Sequence, residues 1–377
     1  VDLSDLSPVL SAPGPFVTVH VGAESAVELA ADRYDLAWRN VGKRLEELDV
    51  PADVREAVLS ARGQHADGEA RLVLASIPEA RVVLSVPVST RPATDVIELR
   101  PLPHVLPLLA DVTARVPHVV VTADRTGADV TAYFDTEEVA REVTVRGTEL
   151  HLHKVQGGGW SHRRYQHRAE NQWAKNGEDI ADTAAQLAAQ VDAELLVGVG
   201  DEREVALVGK ALPQEWQSRW VVVPGGRGAG GEDFNAGRVR DTVALHVAHE
   251  TLDLLAQFAQ ERGQSQRACD GLEDVVQALR KAQVEGLLLT TELTAADAGP
   301  ALFFGPDPSA LGTTREDVTA LGVDDPQEGP AVDVLVRAAV ATGAQVHVVP
   351  HEPTTAPNGG VGAVLRYADA DNAAARG

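Results

Sequence analysis

Methionine is absent from the 377 residues, and cysteine occurs once, at Cys269. A single thiol excludes an internal disulfide framework and a cysteine-rich zinc site, and it points to a reducing compartment. Without methionine the initiator is missing, so the first residue is not read as the translated start. No apolar run approaches the roughly 18 residues of a membrane span, and the first residues show no basic-then-apolar leader pattern. These absences predict a cytoplasmic protein with no membrane partner. Positive charge is also scarce: 33 Lys+Arg stand against 56 Asp+Glu, a net charge of −23. A field of that sign repels phosphate at long range, which excludes an even basic coat and leaves no expectation of DNA as a partner. Any RNA contact must come from a local patch that departs from the average.

What is present is ordinary globular material. The hydrophobic fraction is 44% and the charged fraction 24%, enough for several cores. At about 100–200 residues per domain, the length predicts two or three domains. Short apolar runs alternate with amphipathic stretches throughout, the pattern of an α/β protein.

In the first third, Phe16–Val21 reads as a strand, 25–48 as a helix, and Pro51 as the start of a second helix. Arg71–Ile77 and Arg81–Val88 read as a hairpin across Pro78-Glu79-Ala80. Leu99–Leu109, interrupted by three prolines, reads as a connector with one helical turn. From Pro117 onward, His118–Ala123, Ala128–Phe134 and Glu142–Val145 read as three strands, with Gly127 in the first turn. A glycine loop and a long helix lead to the strand Leu195–Val199. Next come the helix Glu202–Leu212, the strand Trp220–Val223, the loop Pro224–Gly231 and the helix Arg238–Arg262. Beyond the polar linker Gly263–Arg267, Gly271–Leu279 carries apolar residues at i, i+3, i+4 and i+7, an amphipathic helix. Gly286–Thr290, Gln345–Val349 and Val361–Tyr367 read as strands around the helix Ala331–Ala341. The acidic stretch 307–330 between them reads as a solvated surface loop.

One segment breaks the charge balance. Residues 151–175 hold Lys154, Arg163, Arg164, Arg168 and Lys175 against the lone acid Glu170, about +4 within a chain of −23, together with four of the twelve histidines. At about 100° per residue, Tyr165, Ala169, Trp173, Ile180, Ala184, Leu187 and Val191 share an arc of roughly 100°, a core-facing stripe. Arg163, Arg164, His167, Arg168 and Lys175 fall on a separate arc of roughly 140°. Ser161 is placed to cap the helix, and Gly177 interrupts the stripe at a possible kink. The glycine loop Gly157-Gly158-Gly159, tipped by Trp160 and flanked by Gln156 and His162, therefore feeds a helix with one apolar and one cationic face. Arginine and lysine on such a face supply phosphate contacts, while tryptophan and tyrosine offer stacking surfaces for unpaired bases. The predicted RNA-contacting set is Lys154, Gln156, Gly157, Gly158, Gly159, Trp160, His162, Arg163, Arg164, Tyr165, His167, Arg168 and Lys175. The bland alternative is a solvated helix with surface arginines.

The order of these segments resembles the archaeo-eukaryotic release factor and Pelota superfamily. It is most similar to the bacterial branch that includes the Balon-type ribosome hibernation factors of actinobacteria. The resemblance is carried by the hairpin His118–Phe134 and by the glycine loop and basic helix Gln156–Trp173. Further on, Gly271–Leu279 with Glu285–Leu289, and the closing strand Gly359–Tyr367, add to it. It implies three α/β domains at 1–114, 115–263 and 268–377, the middle one RNase H-like and the last an α/β sandwich. It also implies a release-factor-like body in the ribosomal A site, touching 16S and 23S rRNA. The first domain would approach the decoding centre and the third a translational GTPase, for which elongation factor Tu is the bacterial candidate.

The family's catalytic loop carries Gly-Gly-Gln. Here the matching window is Gly157-Gly158-Gly159-Trp160, with Gln156 ahead of the glycines. An indole offers only a donor and cannot orient water as an amide does. The resemblance thus implies a hibernation or stress factor without peptide release, with no catalytic residue and no cofactor. The alternative is a peptidyl-tRNA hydrolase of ribosome rescue, using Gln156 or a loop histidine.

Other motifs carry less. No phosphate-binding Gly-x-x-x-x-Gly-Lys-Ser/Thr loop and no Gly-x-Ser-x-Gly elbow occurs. The five glycines between 225 and 231 read as a plain loop. His246 and His249 lie at i, i+3 beside Glu250 and faintly suggest a metal, but without further ligands of matching spacing they read as a polar helix face. His151 and His153 read as a loop flank. Cys269, in a polar linker, has no motif partner.

Overall fold

The computed structural model describes residues 6–22, 30–63, 70–88, 91–92, 94–113, 116–124, 126–134, 139–146, 160–226, 232–263, 267–291, 293, 299–350 and 355–367. The chain forms two compact units, one of Val1–Thr113 with Asp253–Gly377 and the other of Ala114–Leu252. Both are mixed α/β.

The first unit opens with α1 (Ser7–Leu10), β1 (Phe16–Gly22), α2 (Ala30–Glu47), α3 (Ala52–Ser60), β2 (Ala70–Ser76), β3 (Arg81–Val88), β4 (Val96–Arg100) and α4 (Leu106–Thr113). The four strands make an antiparallel sheet in the order β3-β2-β1-β4. Period-2 alternation sorts its side chains. Val17, Val19, Val21, Val73 and Ala75 meet Trp38, Val41, Leu45, Val54 and Val58 of α2 and α3. Leu72, Leu74 and Val88 enter a second core shared with the C-terminal segment. Two expectations need correction here. Leu99 belongs to β4, which pairs with β1 from Val96 to Arg100. The proline-rich stretch also closes into the full helix α4, since Pro107 sits in the first turn, where no intrahelical N–H is required.

The second unit contains β5 (His118–Asp124), β6 (Gly127–Tyr133), β7 (Val139–Arg146), α5 (Trp160–Gln190), β8 (Leu195–Gly200), α6 (Glu202–Ala211), α7 (Gln214–Gln217), β9 (Trp220–Pro224) and most of α8 (Glu232–Gly263). Its sheet runs β7-β6-β5-β8-β9, with β6 antiparallel to its neighbours and β5, β8 and β9 parallel. This is the RNase H-like order expected. Val119, Val121 and Ala123 pack with α5 and α6 on one face. Val120, Val197 and Val199 pack with Val239 and Val243 of α8 on the other. Glycine makes the α5–α6 contact close: a Cβ on Gly177 would lie 3.3 Å from Leu207 Cβ. Gly177 therefore marks a near approach of two helices, and α5 runs on through it.

The C-terminal segment completes the first unit with β10 (Ala268–Asp270), α9 (Leu272–Arg280), β11 (Val284–Thr290), β12 (Ala301–Phe304), β13 (Leu311–Gly312), α10 (Arg315–Thr319), β14 (Gln327–Pro330), α11 (Ala331–Ala341), β15 (Gln345–Val349) and β16 (Val361–Leu365). The main sheet, β10-β16-β11-β15, buries Leu287 and Leu289 against α9 and α11. Its other face buries Leu288 against Leu255 and Phe258 of α8, which makes it a sandwich. Cys269 is not in a linker. It lies buried in β10, paired with Ala363, and packs as a small apolar side chain. The acidic stretch is not a plain loop either. It contributes the small sheet β13-β12-β14 and the helix α10, whose start is a capping box of Thr314 and Asp317. The acids were legible as surface, but Leu311, Val318 and Phe304 beneath them are buried.

Candidate nucleic-acid interface

The cationic segment opens α5, the long helix of the second unit. Its C-terminal half explains why it is a helix. Alanines at 181, 184, 185, 188 and 189 have high helix propensity. Ile180, Ala184, Leu187 and Val191 of the predicted stripe are buried in the core against the sheet. That anchored half fixes the direction of the basic half preceding it. Of the predicted contacts, Lys154, Gln156, Gly157, Gly158 and Gly159 lie outside the described residues. Trp160, His162, Arg163, Arg164, Tyr165, His167 and Arg168 occupy the first turns of α5, and nothing of their side chains is described. The helix begins at Trp160, so Ser161 stands in the first turn and not at the cap. Lys175 is exposed.

The charge changes sign along the same helix. Beyond Lys175 the exposed charged positions of the helix are Glu178, Asp179 and Asp182. Along the sequence of α5 the basic residues thus end at Lys175, and within one turn exposed acids follow on a helix anchored by its buried stripe. Such an arrangement confines electrostatic attraction to a short stretch of an otherwise repelling surface.

The sheet supporting this helix is built to tolerate little change. The Trp220 ring of β9 occupies space left by two glycines: a Cβ at Gly198 would lie 2.3 Å from the ring and one at Gly209 2.5 Å. Beside β9 an open groove of about 600 Å³ is lined by Val221, Val222, Arg238, Leu245, His246 and His249. At its rim Glu194 stands near His246 and Glu250 of α8, a grouping that spacing along the sequence does not predict. Among the described residues no helix is long and apolar enough to cross a membrane.

Comparison with known proteins places a family match on this unit. Residues 117–264 match the family described as Bacterial archaeo-eukaryotic release factor family 2. Over nearly its whole length the chain is similar to the uncharacterized protein Rv2629 of Mycobacterium tuberculosis. The two are 28% identical over 371 residues, covering 96% of this chain and 95% of the relative. Among solved structures, Archaeoglobus fulgidus Pelota covers 79% of each chain at 16% identity, with a TM-score of 0.33. Saccharomyces cerevisiae Dom34, a translation termination-like factor, covers 81% of each chain at 9% identity and a TM-score of 0.41. A ribosome-bound archaeal Pelota covers 98% of this chain and 95% of its own at 16% identity, with a TM-score of 0.41.

Proposed function

We propose that this protein is a ribosome-binding translation factor of the release factor and Pelota superfamily, acting as a Balon-type hibernation factor in the A site without releasing peptide. One observation carries the reading. The span that matches the bacterial release factor family, residues 117–264, encloses the one segment of about +4 in a chain of −23. In this reading the glycine loop and the first turns of α5 meet large-subunit rRNA. The segment 1–114 faces the decoding centre and 16S rRNA, and 268–377 faces elongation factor Tu. The acidic remainder suppresses stray binding, leaving affinity to the fit of the whole body.

Co-sedimentation with vacant ribosomes across a salt series tests this. Binding is expected at moderate salt, with a steep fall of log K against log salt. Reversing charge at Arg163, Arg164 and Arg168 should weaken binding and flatten that slope by up to about 3, roughly one per lost phosphate contact. A protein that does not sediment with ribosomes at any moderate salt is not such a factor. Peptidyl-tRNA-loaded ribosomes separate the hydrolase reading: release that disappears in Gln156→Ala would replace the present proposal.

A further inference from the structure

We infer that Glu194, His246 and Glu250 form a binding site for a divalent transition-metal ion in the second unit, independent of any ribosomal role. His246 and Glu250 stand one turn apart on α8, at i and i+4, so both project from one face of the helix. Glu194 arrives from the residue preceding β8, where its backbone N–H donates to Pro117 O at 2.8 Å and pins the chain. His246 Nε2 is 3.4 Å from a Glu250 oxygen and 3.9 Å from a Glu194 oxygen. One ligand atom from each of the three residues lies within 4.8 Å of the other two. A tetrahedral zinc site with bonds of about 2.0–2.2 Å has ligand–ligand edges of about 3.3 Å. The closest pair already stands at that spacing. The wider separations close by rotation of two carboxylates that are each about half exposed, 46% and 59%.

One feature distinguishes this grouping from a simple ion pair. His246 Nε2 is buried, yet it makes no hydrogen bond to either carboxylate despite their proximity. A protonated imidazole between two carboxylates would aim its N–H at one of them. A buried ring nitrogen gathered with two carboxylates and left without a hydrogen bond is available as a ligand nitrogen. Arg219, among the described residues, is engaged elsewhere: it donates to Ala193 O at 2.9 Å and lies over the Trp216 ring. A divalent cation would neutralise what the arginine does not. One imidazole and two carboxylates suit zinc, manganese or cobalt, and three protein ligands leave a coordination position open.

Titration of the full chain with Zn²⁺ by calorimetry, and with Co²⁺ by its d–d absorption, tests the site. One ion per chain is expected at micromolar metal, with a Co²⁺ spectrum of nitrogen and oxygen ligands. His246→Gln and Glu250→Gln should each weaken binding by more than about tenfold, the least that even outer-shell partners of a metal cost. His249→Gln, on the same helix but outside the triad, should not. Added Zn²⁺ should raise the melting temperature of the wild type and leave that of His246→Gln unmoved, which separates loss of the site from loss of the fold. Absence of binding at micromolar metal overturns the assignment. So does binding that survives both substitutions, since the ion would then sit elsewhere, with the histidines of 151–167 as the obvious location.

Discussion

Two histidine–carboxylate clusters in this protein, one with an arginine and one without, behave oppositely. In the first unit His104, Arg100 and Asp333 are closed on one another. Asp333 is 2% exposed and accepts from Arg100 at 3.1 Å, while its other oxygen lies 2.9 Å from His104 Nδ1. Arg100 also binds Glu98 at 2.6 Å. Burial works against the Arg100 charge, but Asp333 and Glu98 outweigh it, and the guanidinium holds its proton more tightly than usual. Asp333 also sits in the first turn of α11, where the helix dipole favours a negative charge. In the second unit His246 faces Glu194 and Glu250 at looser distances, and its buried nitrogen makes no hydrogen bond. Groups that satisfy one another hold chain segments together. Groups gathered but left unsatisfied are placed for something else.

Breaking the closed cluster should have the largest effect. Asp333→Ala leaves Arg100 and His104 desolvated without their shared acceptor, and about 3–5 kcal/mol should be lost, nearer 3 because Glu98 still holds Arg100. Urea denaturation of the variant measures this, and a loss below 1 kcal/mol would mean the clasp is ornamental. A third histidine sharpens the contrast. His347, on β15, is mostly enclosed, with Nε2 3.2 Å from Gln345 Oε1, and burial lowers its pKa to about 4. The unfolded chain, with a histidine near 6.5, then binds a proton that the folded chain refuses. The stability contributed is therefore fully present above about pH 6.5 and drains away as pH falls towards 4. His347→Gln should remove about 3 kcal/mol of that acid-side loss, read as a flatter plot of unfolding free energy against pH. The smallest effect belongs to the open cluster. Without metal, His246→Gln should shift stability by about 0.5 kcal/mol or less, because partly exposed pairs contribute little. A larger destabilisation would make that cluster a second clasp and remove the contrast.

Much of this architecture was legible along the chain. Apolar runs marked β1 and the β2–β3 hairpin, and helical periodicity marked α9 and the buried stripe of α5, because each element extends its pattern over several residues. Where a segment is short or punctuated, local signals misled. The prolines after β4 drew Leu99 into a connector, although Val96–Arg100 needed only β1 beside it to become a strand. Cys269 looked like linker because three residues of strand carry no periodicity. The acidic run 307–330 looked like solvated surface because its buried residues are sparse and its sheet partners are distant.

The candidate sites divide along the same line. Local composition was enough to isolate the cationic glycine-loop segment, because like charges clustered within 25 residues shape the field wherever the chain folds. The RNase H-like order of strands was implied by the family resemblance, while the apolar runs by themselves marked only where the strands lie. Only the tertiary structure brought Glu194 to His246 and Glu250, or Arg100 to Asp333 across 233 residues. Pairing at that separation depends on which sheet edge or helix turn the rest of the fold delivers, and no spacing rule along the chain encodes it. It also decided which histidine cluster is sealed and which is open, since burial is a property of the packed core and not of the residues that line it.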